Sequence, residues 1–249
     1  MKMSAYRREA GTYLKGRYGE AFFVSFVFVF AFAVFRIISA ASAYFLGGGT
    51  ASAAAETVAA VISFFTVTPL ITGGLWWFFQ TVCGRDNRSI LKLYSGFRLN
   101  SRAAVLYIMM WLKAFLSLFP SAACFTAAYV FLYGKTGLES NIILFALLQF
   151  TMLGLVFLGF FLNALLSMVL SPFIFISHPD MNPFKVIRNS AVLMKGKKLE
   201  FLRLISVYIP AMLPVVTIPF VLPRAVMSTA VFARECLEES AEIRGEDKL

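Results

Sequence analysis

Residues 142–176 read IILFALLQFTMLGLVFLGFFLNALLSMVLSPFIFI, and none of these 35 residues carries a charge at neutral pH. A helix needs about 20 apolar residues to cross the roughly 30 Å hydrocarbon core of a bilayer. Helices are the expected form, because a loop or an open sheet would leave backbone polar groups without partners in lipid. Four further blocks reach this length, at about 21–46, 57–83, 103–133 and 201–222. The sequence therefore predicts an all-α, polytopic membrane helix bundle with five clear spans.

The composition of the whole chain supports this class. Of the 249 residues, 59% are hydrophobic, 14% are charged and 28 are phenylalanine. A soluble protein of this size could not cover so much apolar surface. We expect one integral membrane domain over 1–249, with a basic leader (1–20), a helical bundle (21–237) and a polar tail (238–249). An uncleaved first span is favoured over a signal peptide, because the basic leader is long and further apolar blocks follow.

Basic residues are unevenly distributed among the connecting segments. The leader, the 84–102 loop and the 178–200 loop each contain five lysines or arginines, whereas 47–56 contains none and 134–141 contains one. The positive-inside rule then predicts that the N-terminus and both basic loops are cytoplasmic in a cell membrane. The net charge of +10 indicates membrane topology rather than nucleic-acid binding, because the cations are divided among loops that flank the spans.

Two segments share one pattern, LKGRYGEAF at 14–22 and LMKGKKLEF at 193–201. In each, a glycine and its basic neighbours stand between an amphipathic segment and an apolar run. We expect a surface helix to end at the glycine before a span begins. This unit is expected three times, beginning near residues 6, 87 and 183, which gives three hairpins and requires a sixth span at 220–237. The C-terminus is then cytoplasmic, with a solvated end from Arg234 onward.

The predicted surface helices bury one face at the lipid headgroups and present cations to anionic lipid, at about 1 kcal/mol per basic residue. Asn182 is expected to cap the third of these helices, with Pro183 in its first turn. The expected membrane-facing side chains are Tyr6, Ala10, Tyr13 and Leu14 in the leader, and Phe184, Ile187, Ala191 and Met194 in the third helix. The candidate contacts to lipid headgroups are Lys15, Arg17, Arg88, Lys92, Lys185, Arg188, Lys195, Lys197 and Lys198.

The stretches NSAVLMKGKKLEFLRLISVYIP (189–210) and LPRAVMSTAVFAREC (222–236) resemble a family of uncharacterised bacterial multi-pass membrane proteins, DUF975. Weaker resemblance extends to PLITGG (69–74) and LYSGFR (93–98). The family signature Ser-x-x-x-Met-x-Gly-x-Lys, with a later proline and aromatic residue, is matched by Ser190, Met194, Gly196, Lys198, Pro223 and Phe232. The sequence departs from the family pattern at Ile209-Pro210 and at Arg224. The resemblance implies a six-helix membrane fold and brings no assigned reaction.

Three polar residues are expected within the membrane, Lys113, Arg36 and Gln149. Lys113 lies about 15 Å into its predicted span, near the midplane, whereas Arg36 is close enough to the outer surface to snorkel. Such residues commonly mark helix contacts or transport pathways.

A specific partner for Lys113 follows from Pro69, which has no N–H and leaves the carbonyl of Phe65 without its helical partner. Because no acid lies at this depth, we expect Lys113 to donate to the Phe65 carbonyl, or to Thr66 or Thr68.

Chemistry-bearing motifs are scarce in this chain. The single histidine, His178, is followed by Pro179 and Asp180, which is typical of a turn. The three cysteines are widely spaced, and neither a nucleophile elbow nor a phosphate-binding glycine loop is present in the sequence. We therefore expect no catalytic, cofactor-binding or metal-binding residues.

The favoured function is a non-enzymatic integral membrane protein whose basic surface helices bind anionic membrane lipids. A membrane-protein partner or a second copy of the chain is an additional expected contact. The alternative is a small permease whose polar pathway includes Lys113. Sequence names neither a solute nor a partner.

Overall fold

A computed structural model describes residues 2–45, 50–84, 94, 97, 100–133, 140–214 and 217–244. Within these residues all regular secondary structure is helical, which confirms the predicted all-α class. The helices are α1 (Lys2–Leu14), α2 (Tyr18–Phe45), α3 (Thr50–Val82), α4 (Asn100–Tyr133), α5 (Ser140–Met168), α6 (Ser171–Ser177), α7 (Pro183–Leu193), α8 (Lys198–Ser206), α9 (Ile209–Met212) and α10 (Ile218–Arg244).

Four stretches of helix are long and apolar enough to cross a membrane: Tyr18–Ile38, Ser52–Val82, Ser101–Tyr133 and Asn141–Ser177. They correspond to the first four predicted blocks. Their apolar side chains are largely exposed, as Trp111 (68%) and Phe145 (70%) illustrate. Exposed apolar surface of this extent is typical of a protein that faces lipid.

The four long helices form two antiparallel pairs. Helices α2 and α3 approach closely at Gly74, where an added Cβ would lie 1.9 Å from the ring of Phe28. Helices α4 and α5 meet at Gly154, whose carbonyl accepts a hydrogen bond of 3.0 Å from the Ser121 hydroxyl. Glycine permits these approaches because it has no side chain to keep the helices apart.

The fifth apolar block, 201–222, does not form one long helix. It is divided among α8, α9 and the beginning of α10, and Pro210 lies in the first turn of α9. Proline lacks the backbone N–H that continues a helix and clashes with the preceding turn, so Pro210, Pro214 and Pro219 interrupt the segment. The expected fifth continuous span is therefore absent from the described residues, and the 220–237 segment, inside α10, is not among the four candidate spans.

Helix α10 runs across one end of the α2–α3 pair. Near its start, the carbonyl of Phe220 accepts a hydrogen bond of 2.6 Å from the hydroxyl of Tyr18, the first residue of α2. Further along, Arg234 donates to the carbonyl of Val82, the last residue of α3, at 3.0 Å. Phe220 and Arg234 are about 21 Å apart along α10, at 1.5 Å per residue. Because both contact the same end of the α2–α3 pair, α10 lies across that end.

Helices α8 and α9 pack antiparallel to α10. The rings of Phe201 and Phe232 lie 5.4 Å apart, and the hydroxyls of Tyr208 and Ser228 lie 2.8 Å apart. Helix α10 continues to Arg244, and within it Cys236 (2% exposed) and Leu237 are buried in the core. The expectation of a solvated segment is therefore wrong for Arg234 to Leu237, whereas Glu239 is exposed.

The buried core lies at this same end, which we call the basal layer (residues 2–14, 171–214 and 217–244). Its largest fully buried side chains include Trp77, Phe78, Phe173, Phe175 and Phe232, so the basal ends of the long helices contribute to it. The leader face at Tyr6, Ala10 and Leu14 is buried in this core instead of facing lipid.

Helix α7 begins at its predicted first residue, Pro183, and ends at Leu193, three residues before Gly196. The Asn182 side chain accepts a hydrogen bond of 3.0 Å from the Phe184 N–H, which caps the helix, and Pro183 occupies its first turn. Of the expected apolar face, Ile187 and Met194 are buried in the basal layer, whereas Phe184 is exposed. Packing against the bundle therefore covers much of the surface that the sequence assigned to the membrane.

Candidate functional site

The two sequence copies form the same turn. Gly16 and Gly196 have φ angles of 81° and 85°, in the left-handed region that favours glycine. The N–H of Arg17 bonds the Leu14 carbonyl at 3.0 Å, and the N–H of Lys197 bonds the Met194 carbonyl at 3.1 Å. Each turn ends a basal-layer helix and starts the next helix at once. The predicted role of glycine as a helix terminator is therefore confirmed at both positions.

The basic residues around these turns differ in their surroundings. Lys15, Lys185, Arg188 and Lys195 are exposed, and Arg17 is half-buried. Arg88 and Lys92 lie outside the described residues.

Two of the predicted headgroup contacts bind other parts of the chain. The Lys197 ammonium forms an ion pair with Glu239 and lies 3.7 Å from the Cys236 sulfur. Burial lowers the pKa of Lys197, but the hydrogen bond to Glu239 and the nearby negative groups outweigh this effect and raise it. Lys198 donates to the Asn163 side chain at 2.7 Å, which ties α8 to the end of α5.

A basic cavity of about 590 Å³ lies beside the first glycine turn. Arg7 and Lys15 come from α1 and its turn, and Arg224 comes from α10, so three elements bring three cations to one space. The guanidinium of Arg224 lies 5.8 Å from the centre of the Tyr18 ring, and Tyr208 closes another side. No acidic residue lines this cavity in the described part of the chain. Such a space can bind an anion.

Sequence reasoning placed only Lys15 of these three cations at a ligand site. Arg224 carried a usable signal, because it stands where the resembling family has an aromatic residue. Arg7 carried none beyond its membership of the basic leader. Their convergence depends on α10 returning to the first glycine turn, which a span crossing at 220–237 would not produce.

A second polar cluster surrounds Arg234. Its guanidinium donates to the Glu9 carboxylate at 2.6 Å and to the Tyr13 hydroxyl at 2.8 Å, in addition to the Val82 carbonyl. Burial lowers the pKa of Arg234, but the hydrogen bonds to Tyr13 and Glu9 outweigh this and raise it. The Arg234 charge is paired with Glu9, and its N–H groups bond the Tyr13 hydroxyl and the Val82 carbonyl. This cluster therefore joins α1, α3 and α10.

The intramembrane polar candidates do not come together. Arg36 lines an apolar cavity of about 780 Å³ between α2, α3, α4 and the end of α5, but Lys113 is not among the residues around it. Gln149 is exposed on α5.

The hydrogen bond expected between Lys113 and the Phe65 segment is not formed. Lys113 is half-buried, and in the described part of the chain its ammonium makes no hydrogen bond or ion pair. Thr66 instead donates to the Ile62 carbonyl at 2.9 Å within its own helix. The expected bridge is therefore wrong, and Thr66 satisfies its donor within its own helix, as helical threonines commonly do.

Among the described residues, no group of three or more His, Cys, Asp or Glu side chains is arranged to hold a metal ion. The basic cavity brings three cations without ion pairs, among the described residues, to one space, and it is therefore the candidate binding site.

Residues 1–235 match the family model described as "Protein of unknown function (DUF975)". The chain belongs to this family. The resemblance carried by the glycine-turn signature is therefore confirmed over almost the whole length. Comparisons with curated proteins and with solved structures find no match.

Proposed function

We propose that this DUF975 protein is a non-enzymatic integral membrane protein of the cell membrane that binds anionic lipid headgroups at its cytoplasmic face. One observation carries the proposal: exposed cations at the repeated glycine turns, Lys15 and Lys195, lie at the end of the bundle where the long apolar helices meet the basal layer. Cations at that level meet the negative surface of the cytoplasmic leaflet.

The membrane arrangement forms part of this proposal. Helices α2, α3, α4 and α5 cross the bilayer, and the basal layer lies on the cytoplasmic side with both termini. The course of α10 across the end of the α2–α3 pair supports four crossings over six. The exposed apolar faces of α4 and α5 are where a membrane-protein partner or a second copy would pack.

Thermal unfolding of the delipidated protein in mild detergent tests the lipid proposal. Adding phosphatidylglycerol is expected to raise the midpoint, because a ligand that binds only the folded state stabilises it. Phosphatidylcholine, with no net charge, is the matched control and is expected to raise it much less. Equal shifts from both lipids would contradict headgroup-charge recognition.

A permease is the second candidate, and the 780 Å³ cavity is the observation that favours it. A pathway through this cavity passes Arg36 rather than Lys113. Flux into proteoliposomes that Arg36→Gln abolishes and Lys113→Met leaves intact would support a permease. Flux no greater than that of protein-free liposomes, across solutes of each charge, would count against it.

A further inference from the structure

We propose that the basic cavity at Arg7, Lys15 and Arg224 is a one-to-one binding site for the phosphate of an anionic phospholipid. This inference rests on the proposed function. It locates headgroup binding at one cavity, whereas the proposed function places it anywhere on the cytoplasmic face. Its basis is the charge of the cavity, the donors in its wall and an apolar track that leads away from it.

The charge of the cavity calls for an anionic ligand. Three cations line about 590 Å³ with no carboxylate among the lining residues, and among the described residues none of the three forms an ion pair. Two partly buried cations of the basal layer are paired with acids, Lys197 with Glu239 and Arg234 with Glu9. Cations gathered in one space repel one another unless an anion neutralises them.

The donors suit phosphate oxygens. Each arginine presents a planar fork that can bond two phosphate oxygens, and Lys15 adds a point charge. The ring of Tyr18 lies under the Arg224 guanidinium and holds it in place, while the Tyr18 hydroxyl is occupied by the Phe220 carbonyl. The Tyr208 hydroxyl is likewise bonded to the Ser228 hydroxyl, so the arginines and the lysine are the charged side-chain donors left for a ligand.

A row of phenylalanines connects the cavity to the membrane. Along α2, the ring of Phe22 lies 6.2 Å from that of Phe26, which lies 5.9 Å from that of Phe30. Phe22 also contacts Phe220 at 5.1 Å, beside the cavity, whereas Phe26 and Phe30 are exposed. An acyl chain lying on this row would leave its phosphate at the level of Tyr18. This continuity favours a phospholipid over a soluble phosphate compound.

Native mass spectrometry in mild detergent tests the site. With phosphatidylglycerol added, we expect the wild type to retain one tightly bound lipid, and Arg224→Gln and Arg7→Gln each to reduce the bound fraction at least fivefold. Arg203→Gln, which removes an exposed cation outside the cavity, is the matched control and should leave the bound fraction unchanged. Circular dichroism checks that each variant is folded. Because Arg7 and Arg224 are both exposed and lie on different helices, at least one variant is expected to fold normally.

The outcomes separate this site from the wider function. If the Arg224→Gln and Arg7→Gln proteins retain as much phosphatidylglycerol as the Arg203→Gln protein, the proposed site is wrong. General binding of anionic lipid would not be contradicted by that result. A wild type that retains phosphatidylcholine as well as phosphatidylglycerol would overturn both. Phe26→Ala with Phe30→Ala should weaken phosphatidylglycerol binding. Glycerol phosphate that competes as strongly as the lipid itself would show a soluble ligand and contradict the phospholipid assignment.

Discussion

The guanidinium of Arg234 donates a hydrogen bond to the carboxylate of Glu9 at 2.6 Å, across 225 positions of the chain. This contact joins the first helix to the last one and also reaches the end of α3 through the Val82 carbonyl. The basal layer is thus closed by residues from both ends of the sequence.

Replacing Arg234 by methionine should destabilise the protein strongly. The change leaves the Glu9 carboxylate and the Val82 carbonyl without their donor, at a cost of about 3 kcal/mol in the free energy of unfolding. Arg203→Met, on the exposed side of α8, removes a cation without such contacts and should cost little. Thermal unfolding in detergent measures both. Equal stability of the two variants would show that the Arg234 contacts do not hold the layer together.

Alanine at Gly16 or Gly196 should destabilise the turns. Both glycines have left-handed φ angles, which cost other residues roughly 1–2 kcal/mol. Gly19→Ala is the control, because Gly19 is helical and an added Cβ would meet nothing within 4 Å. That change should stabilise by up to about 1 kcal/mol. A loss at Gly19 as large as the loss at Gly16 would contradict the conformational explanation.

Replacing Lys113 by methionine should leave stability unchanged or raise it. The ammonium is half-buried without a partner among the described residues, and an unpaired lysine within a membrane helix is unfavourable by about 3 kcal/mol at the centre. Lys198→Met, which loses the 2.7 Å bond to Asn163, should cost about 1 kcal/mol. The thermal unfolding midpoints of the two variants in detergent are compared with that of the wild type. A clear loss of thermal stability in Lys113→Met would indicate that Lys113 does bond a neighbouring helix, as expected from the sequence.

The Cys236 thiol should resist alkylation in the folded protein. Burial raises its pKa from 9.0 to about 11, an effect that the nearby Lys197 only partly offsets. The folded state therefore keeps the proton, and the stability linked to it is present below about pH 9 and is lost as the pH rises toward 11. At pH 8 the thiol is therefore almost entirely protonated, and the thiol form is a poor nucleophile.

This prediction is measured with N-ethylmaleimide on a Cys83→Ser, Cys124→Ser background. Labelling at pH 8 should be slow until the protein is unfolded in dodecyl sulfate. Lys195→Cys in the same background provides an exposed comparison on the same layer. Rapid labelling of Cys236 in the native protein would mean that the end of α10 is open.

Membrane orientation remains a prediction from the distribution of basic residues. Single cysteines at Thr50 and Asn141, both exposed at the far ends of α3 and α5, should be labelled from outside intact cells. A cysteine at Lys195, in the basal layer, should be labelled only after the membrane is opened. The reverse pattern would invert the topology.

The positions of the long helices that face lipid could be predicted from the sequence. The packing of the shorter helices on one another could not. The block at 142–176 is recognisable because its apolar composition is uniform, and its length alone indicates a span. For Tyr6, Leu14 and Met194, an amphipathic face indicates burial but not whether lipid or protein covers it. The prolines at 210, 214 and 219 signalled an interrupted helix, yet the apolar count of 201–222 favoured a span.

The candidate site was partly predictable for a related reason. Lys15 and Gly16 belong to a repeated motif, so their role at a helix end could be inferred from the second copy at Lys195 and Gly196. Arg224 reaches the cavity only through the course of α10, and Arg234 is held by Glu9 from the opposite end of the chain. Contacts between residues so far apart leave no local pattern to detect.

The lipids that co-purify with the protein in mild detergent provide the most direct test of its proposed function. Extraction and mass spectrometry should find anionic phospholipid enriched several-fold over the membrane from which the protein was taken, with at least one molecule per chain. The Arg224→Gln protein, purified in parallel, should lose most of this enrichment. A lipid composition equal to that of the bulk membrane in the wild type would contradict the proposal that the basal layer binds anionic headgroups.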